Sequence, residues 1–191
     1  MNVRDADRKT RLADAAIDVV GTGGVRALTH RAVDTRAGLP QGTCSYHFPS
    51  RAALLTAALT RIAALDLADA AAGDLDGDLA GDFGGDFGGD PVGVLGRVLA
   101  AWAGPQATRA RARFMLMLDP QARAELGPSA DSLAGGFVRR ATALFGSEDR
   151  ARLAIALIDG LLLDELTRGT LTDEQRAARL AAIREIVTIG Q

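Results

Sequence analysis

Residues 28–48 read LTHRAVDTRAGLPQGTCSYHF. The stretch divides into two short helices about a tight turn. Thr29 is an N-cap residue, with a hydroxyl able to accept a backbone N–H of the first turn. A helix spans 30–37, and Gly38 stands where a helix closes in the left-handed conformation. Leu39 is apolar, and Pro40 suits the first turn of a second helix. That helix carries residues 41–47 before Pro49 and Ser50 end it, leaving Ser50 to cap the next. Leu39, Cys44 and Phe48 pack inward. Helices this short do not stand alone, so a third must pack behind them.

The polar face of the second helix holds Gln41, Thr43, Ser45, Tyr46 and His47. Side chains of this kind reach base edges and phosphates in a major groove. The pattern is that of a helix-turn-helix at 28–47.

Residues 38–55, GLPQGTCSYHFPSRAALL, resemble the TetR-family signature. They share its glycine-started turn, Gly-Thr, aromatic-His-Phe, Pro-Ser-basic and leucine-rich helix. The likeness covers residues 8–59; beyond them only length and helical layout agree. It implies an all-α, dimeric, ligand-responsive transcriptional regulator, most often a repressor, with about nine helices. Carried over residue by residue, it places Gln41, Gly42, Thr43 and Ser45 at the bases. It places Thr29, Arg31, Tyr46, His47 and Arg51 at phosphates. Two positions depart from the pattern. Asp34 replaces a common small Ala, and a carboxylate there must reach solvent or a partner. Cys44 and Ser45 replace a common Leu-Tyr pair, so base preference does not carry over.

Composition fits this reading. The chain has 191 residues, 48% hydrophobic and 24% charged, with a net charge of −2. Up to Arg51 there are eight Arg or Lys against five Asp, a net +3; beyond it fourteen face nineteen acids, a net −5. A basic N-terminal end on an acidic body is the electrostatic footprint of a DNA-binding head. The single cysteine excludes an internal disulfide framework. No leader-like apolar segment and no membrane-length apolar run is present, which points to a soluble, cytoplasmic chain with no membrane contact. The two histidines, His30 and His47, have no partner set for metal or catalysis, so no metal, no cofactor and no enzymatic activity is expected.

Four regions follow: a head over 1–50, a connector helix over 51–72, a Gly/Asp-rich loop over 73–90 and an effector-binding and dimerisation domain over 91–191. Residues 1–7 read as a loose arm, where Arg4, with Arg8, Lys9 and Arg11 just after, is placed to reach DNA or is simply solvated. A first helix over 8–20 has Leu12, Ala16, Val19 and Val20 on one face, and the glycine-rich 21–24 stops it. Val25 and Leu28, with Val33 and Phe48, complete the small core. The connector carries a stripe through Leu54, Leu55, Ala58, Leu59, Ile62 and Leu65.

The loop repeats Gly-Asp-(Leu/Phe), with six Asp and seven Gly. A calcium loop of the EF-hand type needs a Glu at position twelve, and Gly85 stands there counted from Asp74. A flexible acidic connection is the plainer reading. Its Leu75, Leu79, Phe83 and Phe87 recur every fourth residue and allow docking on an apolar surface. A calcium- or partner-binding adaptor is the competing function of another class.

Further helices are expected over 92–103, 106–118, about 120–126, 129–145 and 148–168, with a last one after the capping-box pattern 172–175. The final two carry more apolar surface than one core-facing stripe requires, which fits a four-helix homodimer interface. Trp102, Phe114, Met117 and Phe137, with Arg113 and its helix-mate Arg109, are candidates to line an effector pocket. Taken singly, such residues are more often core or solvated. Asp159, inside ALIDGLLL, is a candidate polar contact of pocket or interface. Cys44 has no neighbouring cation to activate it, so it reads as a packing residue rather than a redox switch. The leading function is a homodimer that binds a roughly palindromic double-stranded DNA operator and leaves it when a small molecule binds. An activator or a co-repressor-dependent regulator is open on the same sequence.

Overall fold

The N-terminal helix α1 covers Val3–Gly23, longer at both ends than the expected 8–20. Asp5 in its first turn complements the helix dipole, so residues from Val3 on are helical rather than a loose arm. At the far end Gly21 lies against Thr108 so closely that a β-carbon would meet Thr108 Cγ2 at 2.7 Å. This backbone approach explains a glycine inside a helix that continues past it.

This computed structural model describes residues 3–75, 91–169 and 171–188. Among these residues are ten α-helices, one short 3-10 turn at Val25–Ala27 and no strand. The fold is all-α, as expected. The helices after α1 are α2 His30–Ala37, α3 Thr43–His47, α4 Arg51–Leu75, α5 Pro91–Ala103, α6 Ala107–Leu118, α7 Pro120–Leu126, α8 Pro128–Phe145, α9 Glu148–Arg168 and α10 Asp173–Thr188. The calcium and docking readings of the Gly/Asp repeat fall mainly on residues 76–90, outside the described part. No helix among the described residues is long and apolar enough to cross a membrane.

Caps decide many of these boundaries. The Thr29 hydroxyl accepts from Ala32 N at 3.1 Å, Ser50 from Ala53 N at 3.1 Å, Asp119 from Ala122 N at 2.8 Å and Ser147 from Arg150 N at 3.3 Å. Thr172 and Gln175 form a reciprocal box before α10: Gln175 N donates to Thr172 Oγ1 at 3.2 Å and Thr172 N to Gln175 Oε1 at 3.0 Å.

The chain folds as two compact units. The first unit is Met1–Asp66 with Thr108–Phe137, and the second is Leu67–Ala107 with Val138–Gln191. In the first, Leu12, Ala16 and Val20 of α1 meet Val33 and Ala37 of α2, Cys44 of α3, the α4 stripe from Leu54 to Ile62, and Ala112, Leu116, Ala122 and Leu126. Leu12, Leu28, Leu54, Leu55 and Ile62 are wholly buried, each stabilising the fold by roughly 1.5–3 kcal/mol. Asp66 of α4 is buried against Arg109 at 2.9 Å and Arg113 at 3.2 Å, both on α6.

In the second unit α5 packs on α9 and α10. Gly96 leaves room for Leu180, whose Cδ1 would lie 2.5 Å from a β-carbon. Trp102 is buried and its indole donates to Asp69 at 3.2 Å. Glu165 and Arg176 form a buried two-pronged pair between α9 and α10, at 2.8 and 3.2 Å. The Glu165 hydrogen bond is the main reason the Arg176 guanidinium pKa is raised above its ordinary value.

Candidate nucleic-acid interface

The helix-turn-helix is built from α2, a turn and α3. Gly38 closes α2 at φ 62° in the left-handed region, and its N–H and that of Leu39 return to carbonyls of the last turn. The second helix begins at Thr43, not at Pro40. Gly42 has φ 95°, a conformation that cannot continue a helix, so residues 39–42 are the turn.

Nothing on the turn's own side chains caps α3. The Gln41 amide instead faces Thr35 Oγ1 at 3.2 Å. The cap comes from α2. Asp34, 1% exposed, accepts from Gly42 N at 2.8 Å and from Cys44 N at 2.7 Å. This answers what the Asp34 carboxylate needs. Cys44 beneath it is wholly buried, and its thiol is pushed up to about 11, mainly by burial and further by the Asp34 charge.

The outward face carries Gln41, Gly42, Ser45 and Tyr46, all exposed, with Thr43 half-exposed. Tyr46 projects furthest, at 82% exposure. The hydroxyls of Thr43 and Ser45 donate back to the carbonyls of Pro40 at 2.7 Å and Gly42 at 3.0 Å. Their lone pairs are therefore the groups presented outward. Beside this face Thr29, Arg31, Ala32, Thr35 and Arg36 line an open hollow of about 470 Å³. Arg36 is held at 2.8 Å by Asp18.

Two residues expected at phosphates are placed otherwise. The His47 side chain is only 4% exposed, with Nδ1 3.6 Å from Asp5 of α1. The Tyr46 and His47 rings stand nearly perpendicular, 5.0 Å between centres. Arg51 turns inward, donating to the Val25 carbonyl at 3.0 Å and pairing with Glu125 of α7. Both lock the recognition region to its surroundings instead of presenting a donor outward. Spacing alone does not show this, because the partners lie 42 and 74 residues away. His30 also turns inward, with Nε2 2.7 Å from the Phe48 carbonyl.

The candidate effector residues divide between the units. Arg113, Phe114, Met117 and Phe137 belong to the first, and Trp102 and Asp159 to the second. Arg113 is buried on Asp66, with its guanidinium 5.2 Å from the Phe114 ring centre. Phe114, Phe137 and Asp159 are half-buried, and Met117 is exposed. Among the described residues no group of three or more His, Cys, Asp or Glu is placed to hold a metal ion.

Comparison with known proteins agrees with this architecture. Residues 12–58 match the family described as bacterial regulatory proteins, tetR family. Residues 89–189 match the tetracyclin repressor-like C-terminal domain. No curated protein sequence matches. Among solved structures, the multidrug binding protein EbrR complexed with ethidium is 31% identical, covering 92% of this chain and 97% of that one at a TM-score of 0.66. A TetR-family member from Streptomyces coelicolor A3 is 31% identical over 92% and 97%, at 0.67. A Rhodococcus regulator, 20% identical over 95% and 98% at 0.69, shares the fold. The chain belongs to the TetR family of transcriptional regulators, and its fold is theirs.

Proposed function

We propose that the chain acts as a homodimeric repressor that holds a two-fold DNA operator and releases it when a small molecule binds. The exposed polar row along the turn and α3 carries the reading. Gln41, Gly42, Thr43 and Ser45 face base edges, while Thr29, Arg31 and Tyr46 meet phosphates. His47 and Arg51 hold the helix in place from behind.

The dimer forms through α9 and α10. Leu153, Ala156, Gly160 and Leu163 are exposed and follow one another at three, four and three residues, so they share one face of α9. Leu153 is 70% and Leu163 42% exposed. A second copy covers this ridge, and a two-fold axis then sets the half-sites one or more helical turns apart.

The likeness to EbrR, solved with ethidium, proflavin and malachite green, supports a small aromatic effector. Those three dyes are the first probes. Selection from a random duplex library, followed by binding of a Thr43→Ala, Tyr46→Ala double variant, tests the whole. The double variant should bind the selected duplex at least about tenfold more weakly; equal binding removes α3 from the interface.

A further inference from the structure

We propose that Asp34 is the positioning residue of the recognition helix, and that through α3 it sets how well the protein tells one DNA sequence from another. The inference rests on the DNA-binding reading above and adds to it the device that aims the reading surface.

α3 has five residues, too few to hold its own geometry. Every helix start leaves N–H groups without partners inside the helix. A side chain at the N-cap normally takes one of them, but here the N-cap is Gly42, which has none. Pro40 has no hydroxyl, and the Gln41 amide is turned to Thr35. Asp34 supplies the cap from the preceding helix. One carboxylate oxygen takes the N–H of Gly42 and the other that of Cys44, at 2.8 and 2.7 Å.

Both bonds are short and charge-assisted, and the carboxylate is buried, so water does not compete for them. The Asp34 main chain grips the same turn, its carbonyl accepting from Leu39 N at 2.9 Å. One residue of α2 therefore holds both ends of the 39–44 segment. Thr43, Ser45 and Tyr46 ride on that segment. Hydrogen bonds to base edges weaken steeply with distance and angle, whereas phosphate contacts tolerate small shifts. Losing the two-pronged grip should therefore cost discrimination before it costs affinity for DNA in general.

The test uses the full chain, with Asp34→Asn as the variant. The amide keeps one acceptor and turns a donor toward one of the two N–H groups. The duplex selected by the parent and an unrelated duplex of equal length are titrated at one salt concentration. The expected result is that affinity for the unrelated duplex stays within about threefold of the parent, while that for the selected duplex falls at least about tenfold. The ratio of the two then collapses. A purely structural role would weaken both together, in step with the folded fraction read by circular dichroism, and leave the ratio unchanged.

An unchanged ratio in a folded variant overturns the proposal. If Asp34→Asn does not fold, Asp34→Ala, which sets no amide donor against these N–H groups and favours helix, carries the same expectation and the same refutation. A parent that prefers no duplex overturns the functional reading and this proposal with it. That failure shows in the parent, before any variant is made.

Discussion

Replacing Gly21 by alanine should destabilise the protein, although helix propensity alone predicts the opposite. A glycine inside a helix costs about 1 kcal/mol relative to alanine, so at an open site Gly→Ala is a gain. Position 21 is closed. The new β-carbon would meet Thr108 Cγ2 at 2.7 Å and the Thr108 carbonyl carbon at 3.0 Å, with the carbonyl oxygen nearer still. Carbon pairs rest at about 3.5–4.0 Å. A side-chain methyl can turn away, but the Thr108 backbone belongs to α6, so α1 and α6 must part by about 1 Å. Both helices bury groups in the same core, among them Val20, Ala112 and Leu116. Overpacking of this kind costs about 1–3 kcal/mol and sometimes more.

Backbone atoms sit at the top of that range, so the net loss after the propensity gain is about 1–2 kcal/mol. For a chain of this size that lowers the midpoint by roughly 2–8 °C. Thermal unfolding followed by circular dichroism at matched protein concentration reads it directly. A Gly21→Ala midpoint equal to or above that of the parent would refute the close crossing of α1 and α6.

Other expectations follow from single contacts. Glu165→Ala leaves the Arg176 guanidinium buried without its main partner and should cost about 3 kcal/mol in urea unfolding, while an exposed pair such as Arg152–Glu148 should cost under about 1 kcal/mol. Leu153→Arg with Leu163→Arg should turn a dimer into monomers by sedimentation velocity without loss of helix content; persistence of the dimer would place the interface elsewhere. The Cys44 thiol, raised to about 11, should not react with a thiol reagent at pH 8 until the protein unfolds, and rapid labelling of the native chain would contradict its burial. Because the folded thiol holds its proton more tightly than an ordinary thiol at 9.0, this group's contribution is intact below pH 9 and is lost as the pH rises toward 11.

Local chemistry makes much of the architecture legible in the sequence. Thr29, Ser50, Ser147 and the Thr172–Gln175 pair each cap a helix through residues three positions apart, and Gly38 ends α2 because only the left-handed region closes that turn. Pro40 is compatible with both a first helical turn and a turn proper, and the φ of Gly42 decides between them by starting α3 at Thr43. Glycines in sequence read as stops, yet α1 runs through Gly21, which is there for Thr108, far along the chain.

The same limit governs the site. Exposure of Ser45 and Tyr46 follows from helical spacing, and Gln41 is exposed in the turn before α3. The inward turn of His47 and Arg51 depends on Asp5, Glu125 and the Val25 carbonyl, contacts that no local pattern encodes. Asp34 stood out in the sequence as a carboxylate in need of a partner, and its partners are main-chain N–H groups, which leave no trace in side-chain identities.

The central claim is that α3 of two copies reads one DNA site. Fluorescence anisotropy with the library-selected duplex, at two salt concentrations and with unrelated DNA as competitor, tests it most directly. The account predicts tight binding that survives the competitor at two chains per duplex, with addition of an effector dye releasing the DNA. Equal binding of both DNAs, abolished by modest salt, would mean only a basic head on a helical body and would contradict it.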